Sequence, residues 1–152
     1  MMLELHNVCI GDHIRQLSLT LENGQIMGMH GTGKTILLRA VAGLIPIDAG
    51  HICIDGEILT PESAPYFRRF MAYVPQHLSV PEGYQQIPTD YLSLLRRAVT
   101  SDKQLLLVDE PAAPLTGEQL QNVVQLLTDV VSQGRMVLTV TNPLNNHYLQ
   151  LC

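Results

Sequence analysis

The stretch GMHGTGKT, residues 28–35, constrains the fold more than any other part of this 152-residue chain. It fits the pattern G-x-x-x-x-G-K-[ST], with Gly28 and Gly33 as outer glycines, followed by Lys34 and Thr35. Glycines let backbone N–H groups close around a phosphate chain, because no Cβ stands in the way. Lys34 would bring a positive charge to the terminal phosphates, and the Thr35 hydroxyl would bind Mg²⁺. The motif therefore predicts a phosphate-binding loop that leads into a helix.

The segments on both sides of the motif agree with that prediction. The apolar segment QIM precedes the loop and predicts a short buried strand. In a longer alignment this strand extends to Met29. The following segment, TILLRAVAGL, has apolar residues at helical spacing and is closed by Gly43. A strand, a glycine-rich loop and a helix in this order form a phosphate site at the helix N-terminus.

The N-terminal third of the chain has the alternating pattern of antiparallel strands. LELHNV and IRQLSLTLENG each alternate apolar and polar residues, and Asn23-Gly24 is a turn signal. AGHICIDGEIL predicts a hairpin with Asp55-Gly56 at its turn.

The rest of the chain alternates between strand and helix patterns. MAYV predicts a strand that Pro75 ends, and TDYLSLLRRAV predicts a helix with Thr89 or Asp90 as N-cap. QLLLV predicts a buried parallel strand, GEQLQNVVQLLTDVVSQG an amphipathic helix ending at Gly134, and MVLTVT a last strand. This alternation is typical of an α/β domain with a largely parallel sheet.

An acid pair follows the buried strand QLLLV. Ligands of open α/β sheets bind at the carboxyl ends of the strands, so Asp109 and Glu110 should face the same region as the phosphate loop. Asp109 can hold Mg²⁺ directly or through water, and Glu110 can accept a proton from an attacking water. Gln76, at the end of MAYV, can contribute an oxygen to Mg²⁺ or orient a water. The alternative is that these are capping or solvated side chains.

Composition narrows the class of protein. A length of 152 residues predicts one domain, residues 1–152, with a real core, and the hydrophobic share of 46% is that of a globular chain. A net charge of −5 with 9 Lys and Arg argues against a nucleic-acid partner. The three cysteines form no CxxC pair and the six histidines show no ligand spacing, so the sequence suggests neither zinc nor a disulfide framework. We expect no signal peptide and no membrane span.

Five motifs together resemble the ATP-binding subunit of ABC transporters. They are the turn and loop in LENGQIMGMHGTGKT, the helix ending in AGL, the hairpin GHICIDGEIL, the strand AYVPQ and the strand LLLVDEP, which together span most of the chain. The resemblance implies a P-loop NTPase-like core, with a mostly parallel sheet flanked by helices and an N-terminal antiparallel β portion. It also implies a cytoplasmic ATPase, peripheral at the cytoplasmic face of the membrane, that docks on a membrane permease subunit and forms a homodimer around ATP.

The same resemblance assigns site residues. ATP and Mg²⁺ are the implied cofactors, and Glu110 would be the catalytic base. The metal ion would be bound by Thr35, Gln76 and Asp109. The positions for nucleotide contacts are Gly28, Gly31, Thr32, Gly33, Lys34, Thr35 and Ile36, although Ile36 stands where a second hydroxyl residue is common.

The chain also departs from the family pattern. The signature L-S-G-G-Q is absent, and the 14 residues 77–90 are too few for the helical subdomain that carries it. Thr116 stands where an aspartate is usual, and Asn142 stands where the family has its switch histidine. The aromatic residue that stacks on adenine has no evident counterpart, although His13 could serve weakly.

Two questions stay open at the level of sequence. The first is where the strand before the loop ends. If the glycines keep the register of the family motif, QIM is a short strand. If QIMGMH is the full strand, the loop is three residues shorter, and we favour this second alignment. Two functions are also compatible with the residues: an ATPase subunit that drives transport, or a non-hydrolysing nucleotide-binding or scaffold module. A kinase or GTPase is disfavoured, because the chain has neither an N-K-x-D string nor an arginine-rich lid.

Overall fold

The described part of the chain forms two four-stranded β-sheets, one antiparallel and one parallel, with helices packed on the parallel sheet. The computed structural model describes residues 1–30, 35–75, 91–109 and 117–141. This architecture confirms the α/β fold class expected from the sequence, including the antiparallel portion at the N-terminus. The prediction of a single domain over residues 1–152 stays a prediction.

The antiparallel sheet has the strand order β2-β1-β4-β5. Alternate residues of β1, such as Leu3 and Leu5, are buried, while Glu4 and His6 lie on the opposite face. The hairpin between β4 and β5 turns at Asp55 and Gly56, both at positive φ, as the Asp-Gly sequence predicts. The strands are β1 (Met2–Ile10), β2 (Ile14–Glu22), β4 (Ala49–Ile54) and β5 (Glu57–Ile58).

The parallel sheet has the strand order β3-β8-β7-β6, so that β8 separates β3 from β7. All four residues of β7 are buried, because helices or the other sheet cover both of its faces. The strands are β3 (Ile26–His30), β6 (Met71–Val74), β7 (Leu105–Val108) and β8 (Met136–Thr141).

Two apolar clusters hold these layers together. The first lies between one face of the parallel sheet, α1 and the antiparallel sheet, and the second lies between the other face, α3 and α4. The helices are α1 (Thr35–Val41), α2 (Ala64–Arg68), α3 (Tyr91–Thr100) and α4 (Gly117–Ser132). The expected N-cap of α3, Thr89 or Asp90, lies outside the described residues. Within the described ranges, no helix has the length and apolar character needed to cross a membrane.

Both glycines predicted to end helices do so by the same motif. Gly43, at φ 74°, donates to the carbonyl of Ala40, and the next N–H, of Leu44, donates to Arg39. Gly134, at φ 80°, repeats this pattern at the end of α4. These are Schellman motifs, in which a left-handed residue satisfies the last helical carbonyls.

A buried guanidinium joins α3 to the start of β8. Arg135 is 9% exposed, and it donates to the carbonyls of Val99 at 2.7 Å, Lys103 at 2.8 Å and Ala98 at 3.3 Å. Burial lowers the pKa of Arg135, and the charge of Asp102 opposes that shift. A cation at the carboxyl end of α3 also interacts favourably with the helix dipole.

Candidate functional site

The predicted site lies at the carboxyl edge of the parallel sheet. Because the four strands run in the same direction, the ends of β3 and β7 lie at one edge, with β8 between them. Helix α1 begins at Thr35, five residues after the last residue of β3, and Asp109 directly follows β7. This edge is where ligands of open parallel sheets bind.

Thr35 and Asp109 meet at that edge although 74 positions separate them. The Thr35 hydroxyl Oγ1 donates a hydrogen bond to Asp109 Oδ2 at 2.9 Å. Asp109 is 1% exposed, and its backbone N–H donates to the carbonyl of Val74 at 2.9 Å. The sheet therefore fixes the backbone of the acid, and the first residue of α1 contacts its carboxylate.

The separation of the two oxygens fits a magnesium ion. Mg²⁺ prefers six oxygen ligands at 2.0–2.1 Å in octahedral geometry, which places neighbouring ligand oxygens about 2.9 Å apart. The Thr35 and Asp109 oxygens already stand at 2.9 Å. A hydroxyl and a carboxylate are also the hard oxygen donors that this cation favours. The residues present are thus compatible with the cation that the sequence motif predicts.

Tyr73, in β6, interacts with Arg39 of α1 and with the charge of Asp109. Arg39 lies one helical turn after Thr35, and its side chain donates a hydrogen bond to the Tyr73 hydroxyl. Burial raises the pKa of Tyr73, the negative charge of Asp109 raises it further, and Arg39 opposes both effects. The phenol therefore stays protonated and adds no negative charge beside Asp109.

Thr139 places an unpaired hydroxyl in the middle of the parallel sheet. It is fully buried, and its Oγ1 has no hydrogen-bond partner in the described part of the chain. In the ladder it stands between Gly28 of β3 and Val108 of β7. Sequence reasoning missed this residue, because a threonine in a strand is ordinarily a sign of β propensity.

The position of Gly28 decides between the two strand alignments that the sequence left open. Gly28 lies inside β3, two residues before the strand ends at His30, and its role in nucleotide binding stays a prediction. The reason is that β3 pairs with β8 over its whole length, from Ile26 to His30. The structure thus follows the longer-strand alignment, and residues 31–34 connect β3 to α1.

The remaining predicted site residues divide into two groups. Ile36 lies in α1 and packs against the first apolar cluster, and His13 is exposed in the turn between β1 and β2. The others lie outside the described residues, namely Gly31, Thr32, Gly33, Lys34, Gln76 and Glu110, with Thr116 and Asn142.

Comparison with known proteins agrees with these observations. The family model described as ABC transporter matches residues 14–88. The molybdate/tungstate import ATP-binding protein of Thermococcus kodakarensis is 38% identical over 71 residues, which cover 45% of this chain and 21% of that protein. The vitamin B12 import ATP-binding protein of Vibrio vulnificus is 24% identical, over 96% of this chain and 80% of that protein. The chain thus covers only about a fifth of the Thermococcus relative.

A solved structure shows the same fold. A dimeric ATP-binding cassette, bound to ADP and Pi, superposes with a TM-score of 0.73 over 94% of this chain and 89% of that one. At 18% sequence identity, the similarity concerns the fold alone.

Proposed function

We propose that this chain, which is related to the ATP-binding subunits of ABC transporters, binds ATP with Mg²⁺ at the carboxyl edge of its parallel sheet. The observation that carries the proposal is the 2.9 Å contact between Thr35 Oγ1 and Asp109 Oδ2. It joins the predicted loop-and-helix half of the site to the acid half. A chain that had lost the site would have no requirement for a buried carboxylate beside this hydroxyl.

Each part of the site then has a task. Residues 31–34 and the first amides of α1 bind the phosphates, with Lys34 supplying the positive charge. Thr35 and Asp109 hold Mg²⁺, with Gln76 as a further oxygen donor. When bound, the ion neutralises charge that develops on the transferred phosphoryl group. Glu110 accepts the proton of the attacking water.

In the cell, the proposed role is that of an ATP-binding subunit that couples nucleotide binding and hydrolysis to transport. The partner is a membrane permease subunit at the cytoplasmic face, and a second copy of the chain is a further candidate partner. Support comes from the names of the relatives, which are import ATP-binding proteins.

Hydrolysis is tested by phosphate release from Mg-ATP, with Glu110→Gln as matched control. Glutamine keeps the shape of the side chain but cannot accept the proton, so release by the wild type should exceed release by the variant. Equal release from the two proteins would rule out hydrolysis by this chain.

A non-hydrolysing nucleotide-binding or scaffold module is the second candidate. One observation favours it: β3 continues through Gly28 to His30, so the first three residues of the phosphate motif are paired with β8 in the sheet. Titration with a fluorescent ATP analogue and Mg²⁺ separates a binder from a scaffold. Saturable binding that Lys34→Ala abolishes indicates a nucleotide binder. No saturable signal, with Lys34→Ala indistinguishable from wild type, would leave only the scaffold.

A further inference from the structure

A second polar contact joins α1 to the parallel sheet, next to the contact between Thr35 and Asp109. Arg39 lies four residues after Thr35, so the two side chains lie on the same face of α1, one turn apart. Thr35 donates to Asp109, which follows β7, at 2.9 Å, and Arg39 donates to the hydroxyl of Tyr73 in β6. One face of the helix therefore contacts the ends of two neighbouring strands.

The register of β6 and β7 places Tyr73 beside Asp109. Tyr73 stands opposite Leu107, and both side chains pack in the first apolar cluster, on the face of the sheet that α1 covers. The N–H of Asp109 donates to the carbonyl of Val74, so the ladder continues to the acid. Residues two apart in an extended segment project from the same face, so Asp109 shares the face of Leu107. The phenol and the carboxylate are therefore diagonal neighbours on one face of the sheet.

The Tyr73 hydroxyl stands between a cation and an anion. Its oxygen accepts a hydrogen bond from Arg39, and the phenol is also subject to the negative charge of Asp109. A protonated phenol that accepts one hydrogen bond keeps its own hydrogen for a second partner. The charge of Asp109 favours the orientation in which this O–H points towards the carboxylate. Arg39 thus orients the hydroxyl that faces the acid.

The apolar contacts of α1 do not by themselves fix the position of Thr35. The helix has only seven residues, too few to be stable alone, and four buried apolar side chains hold it on the sheet. Such burial is non-directional, whereas a hydrogen bond requires a particular distance and angle. At the far end of α1, Arg68 donates to the carbonyls of Ala42 and Gly43. Near Thr35, the polar contact available to position the helix is that of Arg39 with Tyr73.

We propose that Arg39 and Tyr73 are positioning residues that hold the Thr35 hydroxyl against Asp109, at the separation that Mg²⁺ requires. The consequence for nucleotide binding rests on the function proposed above. Neither residue belongs to the phosphate motif or to the acid pair. Arg39 is exposed, so its contact adds little to stability, and its effect is on the geometry of the site.

The alternative is that Arg39 and Tyr73 form an ordinary surface contact with no effect on the acid. Tyr73→Phe separates the two cases, because it removes one hydroxyl and keeps the ring in the apolar cluster. Arg39→Gln removes the cation from the other side of the contact. Arg68→Gln is the matched control, since it weakens the contact at the opposite end of the same helix.

The first test measures by titration calorimetry how much Mg²⁺ tightens ATP binding to the full chain. We expect this gain to fall about threefold to tenfold in Tyr73→Phe and in Arg39→Gln, the effect of losing one hydrogen bond, with the affinity for metal-free ATP unchanged. Arg68→Gln should lower the denaturant midpoint and keep the full response to Mg²⁺. A wild-type response in Tyr73→Phe or Arg39→Gln, or an equal loss in Arg68→Gln, would overturn the proposal.

A second test needs no nucleotide, so it separates this proposal from the proposed function. Thr35→Val, Tyr73→Phe and the double variant are unfolded with denaturant. If Tyr73 holds Thr35 against Asp109, the midpoint shift of the double variant should be smaller than the sum of the two single shifts. Thr128→Val, on α4, is the control and should add to Thr35→Val. Additive shifts for Thr35 and Tyr73 would overturn the positioning role, whereas a wild type that binds no ATP but shows non-additive shifts would contradict the proposed function alone.

Discussion

Gly28 pairs with Thr139 in the middle of the parallel sheet, two residues before β3 ends at His30. This pairing limits the chain available for binding phosphate to residues 31–34 and the first turn of α1. Five Cα steps from His30 to Thr35 reach at most about 18 Å. Residues 28–30 of the eight-residue motif thus lie in the β-ladder with β8.

Replacement of Thr139 should remove a buried polar group without loss of packing. Thr139→Val keeps the volume of the side chain and removes the unpaired hydroxyl, so we expect a stability equal to wild type or higher by about 1 kcal/mol. Denaturant unfolding measures this difference in the free energy of unfolding. Thr128→Val is the control, because its hydroxyl donates to the Val124 carbonyl on an exposed helix face. A clear loss of stability in Thr139→Val would mean that the hydroxyl is paired in solution.

The two Schellman glycines provide a matched pair of variants. Gly134 and Gly43 have nearly the same φ, but a Cβ on Gly134 meets nothing within 4 Å, whereas one on Gly43 collides with the Cβ of Ala64 in α2. Gly134→Ala should cost about 1–2 kcal/mol for its left-handed backbone. Gly43→Ala should cost about 1–3 kcal/mol more, from the overpacked contact. Equal losses of unfolding free energy in Gly134→Ala and Gly43→Ala would show that α2 moves to accommodate the added methyl group.

The guanidinium of Arg135 should be essential to stability. Arg135→Leu leaves the carbonyls of Val99 and Lys103 without their donor, so we expect a loss of about 2–4 kcal/mol in the free energy of unfolding. Arg135→Lys should recover only part of it, because an ammonium group lacks the planar fork. Arg15→Leu, at a side chain that is 77% exposed, is the control and should change little. A neutral Arg135→Leu would contradict this account.

Local patterns in the sequence predicted much of the fold. The strands MAYV and MVLTVT have the bounds that the structure gives them, and Asp55-Gly56 and Gly43 have the positive φ values that their turn and cap require. These features depend on neighbours in the sequence, such as an apolar run, a proline or a glycine. The approach of Thr35 to Asp109 was also expected, since both follow strands of one parallel sheet.

What the sequence could not decide depends on long-range pairing. The segment Gly28–His30 suits a strand or a loop equally, and only its ladder with β8 decides between them. The burial of Thr139 between Gly28 and Val108 was missed for the same reason, because only the pairing of three strands places it in the middle of the sheet.

The most direct test of the proposed site is the Mg²⁺ dependence of ATP affinity in the wild type and in Asp109→Asn, measured by titration calorimetry. If Thr35 and Asp109 hold the ion, Mg²⁺ should tighten ATP binding to the wild type by about tenfold or more, and Asp109→Asn should lose that gain while binding metal-free ATP as well as wild type does. Wild-type protein that binds no ATP, or Asp109→Asn that keeps the full response to Mg²⁺, would contradict the account.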